Sequence, residues 1–303
     1  KGELKAMWLV GYDLFFSLPN TNESRSAFSK IDLLIVQDLF LNESASEFAD
    51  VFLPVATSFE KEGTFMNGER RVQKIRKAVD APKEVKADWE VVCQLAAVMG
   101  KQEQFSYSSP AEIWDEVRMV WKAVYGITNE RLQSRGIQWP CPGTDHPGTE
   151  VLHSESFPIG ERARLSMLDF KPTPEIVSWE FPLLLVTGRE LYHFNAGTMT
   201  YRTPNQKIRP SDNLHVHPTD ANRLQLKEGE QVKIRSKYGQ AFIPVHIESS
   251  VREGEVFATF NSVKVSINHV TSNVKDNYVQ TPEYKVTAVC IEKLTEQELP
   301  FGA

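Results

Sequence analysis

Ile31–Gln37, which reads IDLLIVQ, is the stretch that decides the fold of the first part of the chain. Its branched apolar residues stand on both faces, a pattern typical of a strand buried within a parallel sheet. Another apolar run, Lys5–Gly11 (KAMWLVG), precedes it, and the polar stretch Asn20–Lys30 between them can form a helix. Phe48–Leu53 (FADVFL) follows as a third strand candidate, stopped by Pro54. Strands that alternate with helices predict an α/β domain with a Rossmann-like parallel sheet.

Two amphipathic patterns downstream predict helices. Asp88–Gly100 begins with Asp88 as a natural N-cap and ends at a glycine suited to the C′ position. Its predicted apolar face consists of Trp89, Val92, Leu95, Ala96 and Met99. The second helix, Pro110–Trp121, has proline in its first turn. Its predicted inward residues are Ile113, Val117, Val120 and Trp121.

The last part of the chain is predicted to be mostly β. The strand candidates are Phe181–Thr187, a hairpin over Val232–Ile247 that turns near Lys237–Gly239, Val256–Phe260 and Lys285–Glu292, with one short helix around Thr219–Leu224. Many short strands with glycine-containing turns favour a small barrel over a sandwich. We therefore expect an α/β domain over residues 1–135, an irregular linker over 136–178 and a β-barrel domain over 179–303.

Composition and charge exclude several classes of protein. The 303 residues suffice for two domains, and the net charge of −6 argues against a general nucleic-acid or anionic-membrane binder. The basic run Arg70–Lys77 lacks interleaved aromatics, which predicts a solvated face rather than a nucleic-acid site. No apolar run approaches the ~20 residues that span a bilayer. There is no signal segment, which predicts a cytoplasmic chain, although a longer N-terminus could carry an export signal.

The cysteines and histidines indicate no metal site within this chain. Cys93, Cys141 and Cys290 form no C-x-x-C motif, so we expect structural thiols in a reducing compartment. His215 and His217 form the closest histidine pair, but they fall in a strand pattern and are not expected to bind a metal. Classical catalytic motifs are also missing from the sequence. We therefore expect no catalytic residue and no metal ligand in this chain.

Polar residues stand where two predicted strands end. Gln37–Asp38 follow one strand, and Thr187–Gly188–Arg189 follow another. A carboxylate there can accept hydrogen bonds from the N–H edge of a guanine, while glycine lets the backbone approach a phosphate and arginine supplies charge. Taken alone, these residues are better interpreted as ordinary polar strand ends.

Val36–Gln73 resembles the molybdopterin oxidoreductase family, the dimethyl sulfoxide reductase superfamily, and most of all the catalytic α subunit of formate dehydrogenases. The segment L-P-x-A…E-K-E-G-T-F-x-N-x-E-R-R-V-Q, here Leu53–Gln73, carries the resemblance. Further matching blocks follow in the family's order: Lys86–Gly100, Ile137–His146, Thr187–Thr200, Asn268–Thr271 and Thr281–Lys285. The chain is thereby identified as similar to the C-terminal half of such a subunit.

This resemblance implies an α/β domain followed by a six-stranded barrel of the double-psi type, which together bind a bis-molybdopterin guanine dinucleotide with molybdenum or tungsten. It also implies that the 4Fe–4S cluster and the residue ligating the metal belong to a missing N-terminal half. The implied function is an oxidoreductase that converts formate to carbon dioxide and passes electrons to an electron-transfer subunit or carrier. The isolated chain is then expected to be inactive, with no nucleic-acid partner and no direct membrane insertion.

The resemblance also assigns cofactor-binding positions. They are Gly11, Asp13, Gln37, Asp38, Lys61, Asp88, Thr187, Gly188, Arg189, His193, Asn195, Thr198, Met199, Phe260, Asn268 and Lys285. The resemblance implies that Gln37, Asp38 and Asp88 bind the guanosine end of one dinucleotide. It also implies that the loop beginning at Thr187 passes close to both pterins. Simpler interpretations stay open: Asp88 as a plain N-cap, Phe260 as a core residue, and Arg189 as the partner of a carboxylate.

Two departures from the family pattern bear on the substrate. The usual G-x-N-P loop reads Gly11–Tyr12–Asp13–Leu14, which adds negative charge where a phosphate or ribose would lie. Lys264 stands where related formate dehydrogenases often carry glutamate. A nitrate reductase, which shares the scaffold and most of these sequence blocks, is the alternative enzyme. A protein like the large iron–sulfur subunit of complex I, an electron-relay scaffold without molybdenum, is the alternative of another class.

Overall fold

The first part of the chain forms a small sheet flanked by short helices. The computed structural model describes residues 2–295. The strands are β1 (Ala6–Val10), β2 (Leu33–Asp38) and β3 (Val51–Pro54), in the order β1-β2-β3, and the helices are α1 (Leu14–Ser17), α2 (Thr21–Phe28) and α3 (Glu43–Phe48). β1 and β2 are parallel, with Val10 opposite Gln37, which confirms the predicted parallel sheet. The core beneath it contains Phe15, Leu34 and Val36.

The strand predicted over Phe48–Leu53 begins later than expected. Asn42 caps α3 by accepting a hydrogen bond from the Ala45 N–H at 2.9 Å, so Phe48 is the last residue of a helix. The strand then starts at Val51. The N-cap explains why the strand was predicted too early. Asn42 starts a helix, and the apolar periodicity of the sequence alone does not show that helix.

A second group of elements lies in the middle of the chain. It has a three-stranded sheet, β4 (Gly63–Met66), β5 (Arg71–Ile75) and β6 (Ile137–Gln138), and the helices α4 (Asp88–Val98) and α5 (Pro110–Val120). Short 3-10 turns cover 102–104, 122–124 and 131–133. Its core contains Val72, Trp114, Ile127 and Cys141.

Both helices of this group occur where the sequence predicts them, but their buried faces differ. The N-cap of α4 is Ala87 rather than Asp88, and Glu90 accepts the Ala87 N–H at 2.8 Å. Val91 and Ala96 are its buried residues, while Met99 is exposed. In α5 the buried residue is Trp114, whose Nε1 donates to the Ile127 carbonyl at 2.7 Å, and the predicted inward Val117 and Val120 are exposed. A buried tryptophan needs a hydrogen-bond acceptor for its N–H, and this requirement determines which face of α5 is buried.

The basic run Arg70–Lys77 is only partly the solvated face predicted for it: Arg76 and Lys77 are exposed, whereas Arg70 and Arg71 are half-buried. The guanidinium of Arg70 donates to the Thr149 and Glu150 carbonyls at 3.1 and 3.0 Å. Arg71 donates to the Gly136 carbonyl at 3.2 Å, and Arg76 to that of Gln133 at 2.9 Å. These arginines therefore help to fix the segment 133–150.

The last part of the chain closes into a six-stranded barrel. Its strands are β7 (Leu183–Gly188), β8 (Leu214–Val216), β9 (Gln231–Arg235), β10 (Gln240–Ile247), β11 (Glu255–Thr259) and β12 (Thr287–Lys293), with the short helices α6 (Asn205–Ile208) and α7 (Pro218–Arg223). Around the ring the order is β10-β8-β11-β7-β12-β9. Leu185, Leu214, Ile234 and Ile243 are fully buried inside it. The predicted barrel is confirmed, and it includes β8, the strand pattern noted around His215 that was not counted among the predicted barrel strands.

The segment 136–178, predicted as a linker, contributes residues to the middle group of elements and to the barrel. β6 lies at its start and pairs with β5. Near its end, Glu175 is almost fully buried, and its carboxylate accepts hydrogen bonds from the Tyr238 hydroxyl at 2.6 Å and from the Ala288 N–H at 3.2 Å. By contacts, residues up to 52 join those from 170 onward in one unit, and residues 53–169 form a second unit. This division differs from the predicted boundaries at 135 and 178. None of the helices within residues 2–295 is long and apolar enough to cross a membrane.

Candidate functional site

The carboxyl ends of β1 and β2 lie side by side. The Gly11 N–H donates to the Gln37 carbonyl at 2.8 Å. Gly11 has a φ of +62°, and a Cβ added there would meet nothing within 4 Å, so its backbone faces open space. Asp38 ends β2, accepting the Leu39 N–H at 2.6 Å and the Asn42 side-chain amide at 2.8 Å. A carboxylate has about four acceptor positions, so Asp38 can still accept hydrogen bonds from a ligand.

Asp13, which departs from the family pattern, is held by protein donors. Its carboxylate accepts the Ser44 hydroxyl at 2.6 Å and the N–H groups of Phe16, Glu43 and Ser44 at 3.4, 3.1 and 3.3 Å. It therefore caps α1 and ties the start of α1 to the start of α3. Because these donors surround it, the Asp13 carboxylate is hydrogen-bonded within the protein rather than directed at a ligand.

The loop after β7 begins with a hydroxyl and a glycine that are both fixed in place. Thr187 is buried and donates its hydroxyl to the Tyr284 carbonyl at 2.7 Å. A Cβ on Gly188 would lie 2.6 Å from the ring of Phe257, so only glycine fits without movement. Arg189, the next residue, is exposed, and its guanidinium has no hydrogen-bond or ion-pair partner among residues 2–295. A rigid strand end thus presents a free cation.

His193 anchors the same loop through both ring nitrogens. Nδ1 lies 2.9 Å from the Thr200 hydroxyl, and Nε2 lies 2.8 Å from the Arg209 carbonyl. The ring stacks on Tyr201 with centroids 3.9 Å apart, and it is almost fully buried. Because a carbonyl only accepts, Nε2 carries a proton. The predicted contact of His193 with a ligand would therefore require one of these internal bonds to be exchanged.

Two asparagines near this loop offer buried oxygens. Asn195 has a left-handed φ of 46°, and the Asn261 side-chain amide donates to its carbonyl. Within the described residues the side-chain oxygens of both are buried without a hydrogen-bond partner. A Cβ on Gly197 would lie 2.5 Å from the Asn261 carbonyl, so the chain passes close to Asn261. Thr198 is half-buried and Met199 exposed beyond it.

Asp212 is a buried acid that the sequence analysis missed. Its carboxylate accepts the Thr259 hydroxyl at 2.6 Å and the Ser262 N–H at 2.8 Å. Burial raises the pKa of Asp212 in spite of these donors. Burial, with a contribution from Asp212, also raises the pKa of Tyr201. Asp212 stands in a polar loop with no periodicity, so no sequence signal distinguishes it from a solvated turn residue.

Two contacts join the sheet to the barrel within the first unit. The Arg202 guanidinium lies over the Phe40 ring, 4.4 Å from its centroid. The Asn268 side-chain amide donates to the Phe16 carbonyl at 2.8 Å. These contacts bring the end of β2 and the loop after β7 to one region, as the resemblance implies. The side-chain amide of Asn268 is therefore bonded within the protein. Phe260 is half-buried and packs against the barrel core. Lys285 is exposed and has no hydrogen-bond or ion-pair partner within residues 2–295.

Lys61 and Asp88 belong to the second unit, where they pair with one another. The Lys61 ammonium group donates to the Asp88 carboxylate, and both side chains are about one third exposed or less. Asp88 is the first residue of α4, where a carboxylate is favoured by the helix dipole. The pair is thus consistent with a structural role as well as with the one that the resemblance assigns.

Comparisons with known proteins agree with this geometry. The model of the molybdopterin oxidoreductase family matches residues 1–98, and that of the molybdopterin dinucleotide binding domain matches residues 183–288. Acetylene hydratase from Pelobacter acetylenicus has a similar fold, with a TM-score of 0.71 at 16% identity over 96% of this chain and 44% of its own.

The curated relatives are formate dehydrogenase α subunits. The α subunit of F420-dependent formate dehydrogenase 1 from Methanococcus maripaludis is 37% identical over 295 residues, which are 96% of this chain and 44% of that protein. The corresponding subunit from Methanocaldococcus jannaschii is 36% identical, over 96% of this chain and 43% of its own. The chain thus spans less than half the length of these relatives. With both domain models matched in order around this site, the chain belongs to the molybdopterin oxidoreductase family.

Proposed function

We propose that this chain is the cofactor-binding portion of a formate dehydrogenase α subunit. In the intact enzyme, formate gives carbon dioxide, a proton and two electrons, and the electrons pass through iron–sulfur clusters to a partner protein. The proposal includes a bis-molybdopterin guanine dinucleotide with molybdenum or tungsten, a Rossmann-like sheet, a double-psi barrel and a cytoplasmic location. The similarity to formate dehydrogenase α subunits over 96% of the chain supports it.

The observation that carries the proposal is the loop after β7. Arg189 is a free cation at a rigid strand end, and Asn195 and Asn261 nearby hold buried oxygens without donors in the described residues. A pterin carries several N–H donors and a dinucleotide carries a pyrophosphate, so the residues present fit the group. An apolar ligand would leave both the buried oxygens and the guanidinium without partners.

Each residue then has a definable task. The planar fork of Arg189 can bond two phosphate oxygens at once without losing its charge. The oxygens of Asn195 and Asn261 can accept from N–H groups, and Asp38 can accept from the edge of guanine. When bound, the cofactor supplies the two-electron chemistry, while the protein supplies binding and orientation.

A nitrate reductase, which shares the scaffold, is the second candidate, because one position departs from the formate dehydrogenase pattern. Lys264 is exposed and places a positive charge where related formate dehydrogenases often have glutamate. The two activities separate in dye-linked assays of the full-length protein with formate or with nitrate. We expect turnover with formate, and turnover with nitrate alone would replace the proposal with this candidate.

Metal analysis of the same preparation tests the proposal against an electron-relay scaffold. We expect about one molybdenum or tungsten ion per chain, since one dinucleotide-bound metal site is implied. A preparation that carries iron–sulfur clusters yet no molybdenum or tungsten, and that turns over neither substrate, would contradict the proposal.

A further inference from the structure

Two histidines and a glutamate meet on the barrel, where the Phe257 ring that approaches Gly188 also contacts His215. His215 lies on β8 and His246 on β10, where the two residues are directly opposite in a parallel pair. Glu248 follows the end of β10. One possible ligand atom from each of the three lies within 4.8 Å of the others, and all three side chains are half-buried. The sequence does not show this group, because it joins residues more than thirty positions apart.

We propose that His215, His246 and Glu248 form a binding site for a divalent transition metal of the zinc type. Two imidazoles and one carboxylate are a ligand set that zinc uses with water in the fourth position. Ligand atoms of one zinc ion lie at most about 4 Å apart, since each bond is about 2 Å long. The three atoms therefore reach a common ion through side-chain movements on the order of 1 Å.

The hydrogen bonds around the cluster prepare it for a metal. Nδ1 of His246 lies 2.9 Å from the Glu228 carboxylate, and an imidazole whose Nδ1–H is held by a carboxylate presents the lone pair of Nε2 to an ion. Nδ1 of His215 contacts the Glu248 carboxylate, so an ion bound by this nitrogen and this carboxylate replaces the proton between them. Glu228 thus orients one ligand, His246, in the way that outer carboxylates do in zinc sites.

The surroundings also suit a cation that is reached from solvent. An open pocket of about 350 Å³ is lined by His215, Glu248, Glu255 and Arg252 among others. Glu248 and Glu228 each contact one imidazole, and Glu255 and Arg252 line the pocket beside them, so three carboxylates against one guanidinium favour a cation. β8 and β10 belong to the closed ring, which limits the movement of both histidines.

Metal-binding measurements on the metal-stripped full chain test the site. We expect one Zn²⁺ per chain by equilibrium dialysis, and at least tenfold weaker binding in His246→Gln and in Glu248→Gln. Glu228→Gln should weaken binding about tenfold, as loss of an outer carboxylate does. His217→Gln, which removes a histidine next to the cluster but outside it, is the matched control and should bind Zn²⁺ as the parent does. Mg²⁺ should not compete.

Cobalt separates this site from binding at the cysteines. Co²⁺ bound by nitrogen and oxygen gives visible d–d bands without the thiolate charge-transfer band, and these should disappear in His246→Gln. Far-ultraviolet circular dichroism of each variant shows whether the barrel has folded. Binding that is equal in the parent, His246→Gln and Glu248→Gln, or that carries a thiolate band, would overturn the proposal. None of these outcomes depends on molybdenum or on formate turnover.

Discussion

Arg189 combines three properties: a tightly packed glycine before it, an exposed side chain, and no hydrogen-bond or ion-pair partner within residues 2–295. Gly188, which precedes it, is fixed by the close approach of Phe257. An arginine that only fastened two parts of the fold would have a carboxylate beside it, and the described residues provide none. The charge is therefore available to an anion.

Arg189→Lys should weaken cofactor retention by the full-length enzyme about tenfold, because lysine keeps the charge but loses the bidentate fork. Molybdenum or tungsten content after dilution and gel filtration measures retention. The cofactor-free protein should melt within about 1 °C of the parent, since no internal contact is removed. A lower melting temperature of the cofactor-free protein with unchanged metal content would show that Arg189 fastens the fold instead.

Asp38→Asn should cost about 2–3 kcal/mol of cofactor affinity, because an amide replaces one acceptor oxygen and faces the donors of guanine. Asp50→Asn is the matched control. The Asp50 carboxylate also accepts a backbone N–H beside β2, that of Leu34 at 2.7 Å, but it lies away from the site. Both variants should lose some stability, and only Asp38→Asn should lose metal. Equal metal content in the two would exclude guanine recognition by Asp38.

At the scale of elements, short pieces of irregular chain hold the strands together. Glu175 precedes the barrel, yet it bonds Tyr238 in the β9–β10 turn and the Ala288 N–H in β12, and it pairs with Lys237 at 2.8 Å. Burial alone would raise the pKa of Glu175, but hydrogen bonds from Lys237, Tyr238 and Ala288 outweigh burial and lower it. The ionised form is therefore the one that stabilises the fold.

Glu175→Gln should lower the free energy of unfolding by about 2 kcal/mol at pH 7, the value of a buried hydrogen-bonded charge. Because the folded pKa is depressed, this stability is complete above the unfolded pKa of about 4.3 and disappears as the pH falls through the folded pKa. Urea unfolding at pH 7 and at pH values below 4 measures the difference. Glu283→Gln, which loses one bond from the Thr173 hydroxyl, is the control. A difference between parent and Glu175→Gln that does not shrink in acid would contradict the assignment.

Gly188→Ala should destabilise the barrel by about 1–3 kcal/mol, because the new methyl group overpacks the junction of β7 and β11. Its Cβ would lie 2.6 Å from the Phe257 ring. Gly68→Ala is the control, since its Cβ would meet nothing within 4 Å. The double variant Gly188→Ala with Phe257→Leu should recover part of the loss in thermal unfolding. No recovery would show that the backbone, rather than the ring, limits this position.

The elements that the sequence predicts well are those with a local signal. α4 and α5 occur at their predicted positions because terminal residues mark them, the glycine after α4 and the proline in the first turn of α5, although the buried faces predicted from their periodicity were wrong. β8 showed a strand pattern, but its three residues were too few to be assigned to the barrel from the sequence. The partners of Arg70 lie 79 and 80 positions away, so the sequence shows the charge of the arginine but not the carbonyls that bind it.

The candidate site was predicted mainly through the resemblance. It selected the residues after β2 and β7, and the structure brings these two strand ends to one region through Arg202 and Phe40. The resemblance could not show that the side chains of Asp13 and Asn268 form hydrogen bonds within the protein, since their partners lie in other elements. Asp212 stayed hidden because burial of a loop residue depends on the whole fold.

At the scale of the whole molecule, the chain spans less than half the length of its relatives and contains no C-x-x-C motif. We expect the 303 residues, produced alone, to fold but to bind no iron and to show no formate oxidation. Iron analysis and dye reduction with formate are the measurements, with circular dichroism as evidence of folding. Formate-dependent turnover by the folded 303-residue chain would contradict the division of labour proposed above.

The order of strands in the barrel determines when the barrel can close during synthesis of the chain. β12 lies between β7 and β9, so the ring cannot close until the ribosome has produced residue 293, more than a hundred residues after β7 began. Pairing across such a separation must overcome a large loop-closure entropy, which makes it slow. Until then β7 lacks one of its two neighbours. We therefore expect the site beside β7 to bind its cofactor only after β12 has been synthesised.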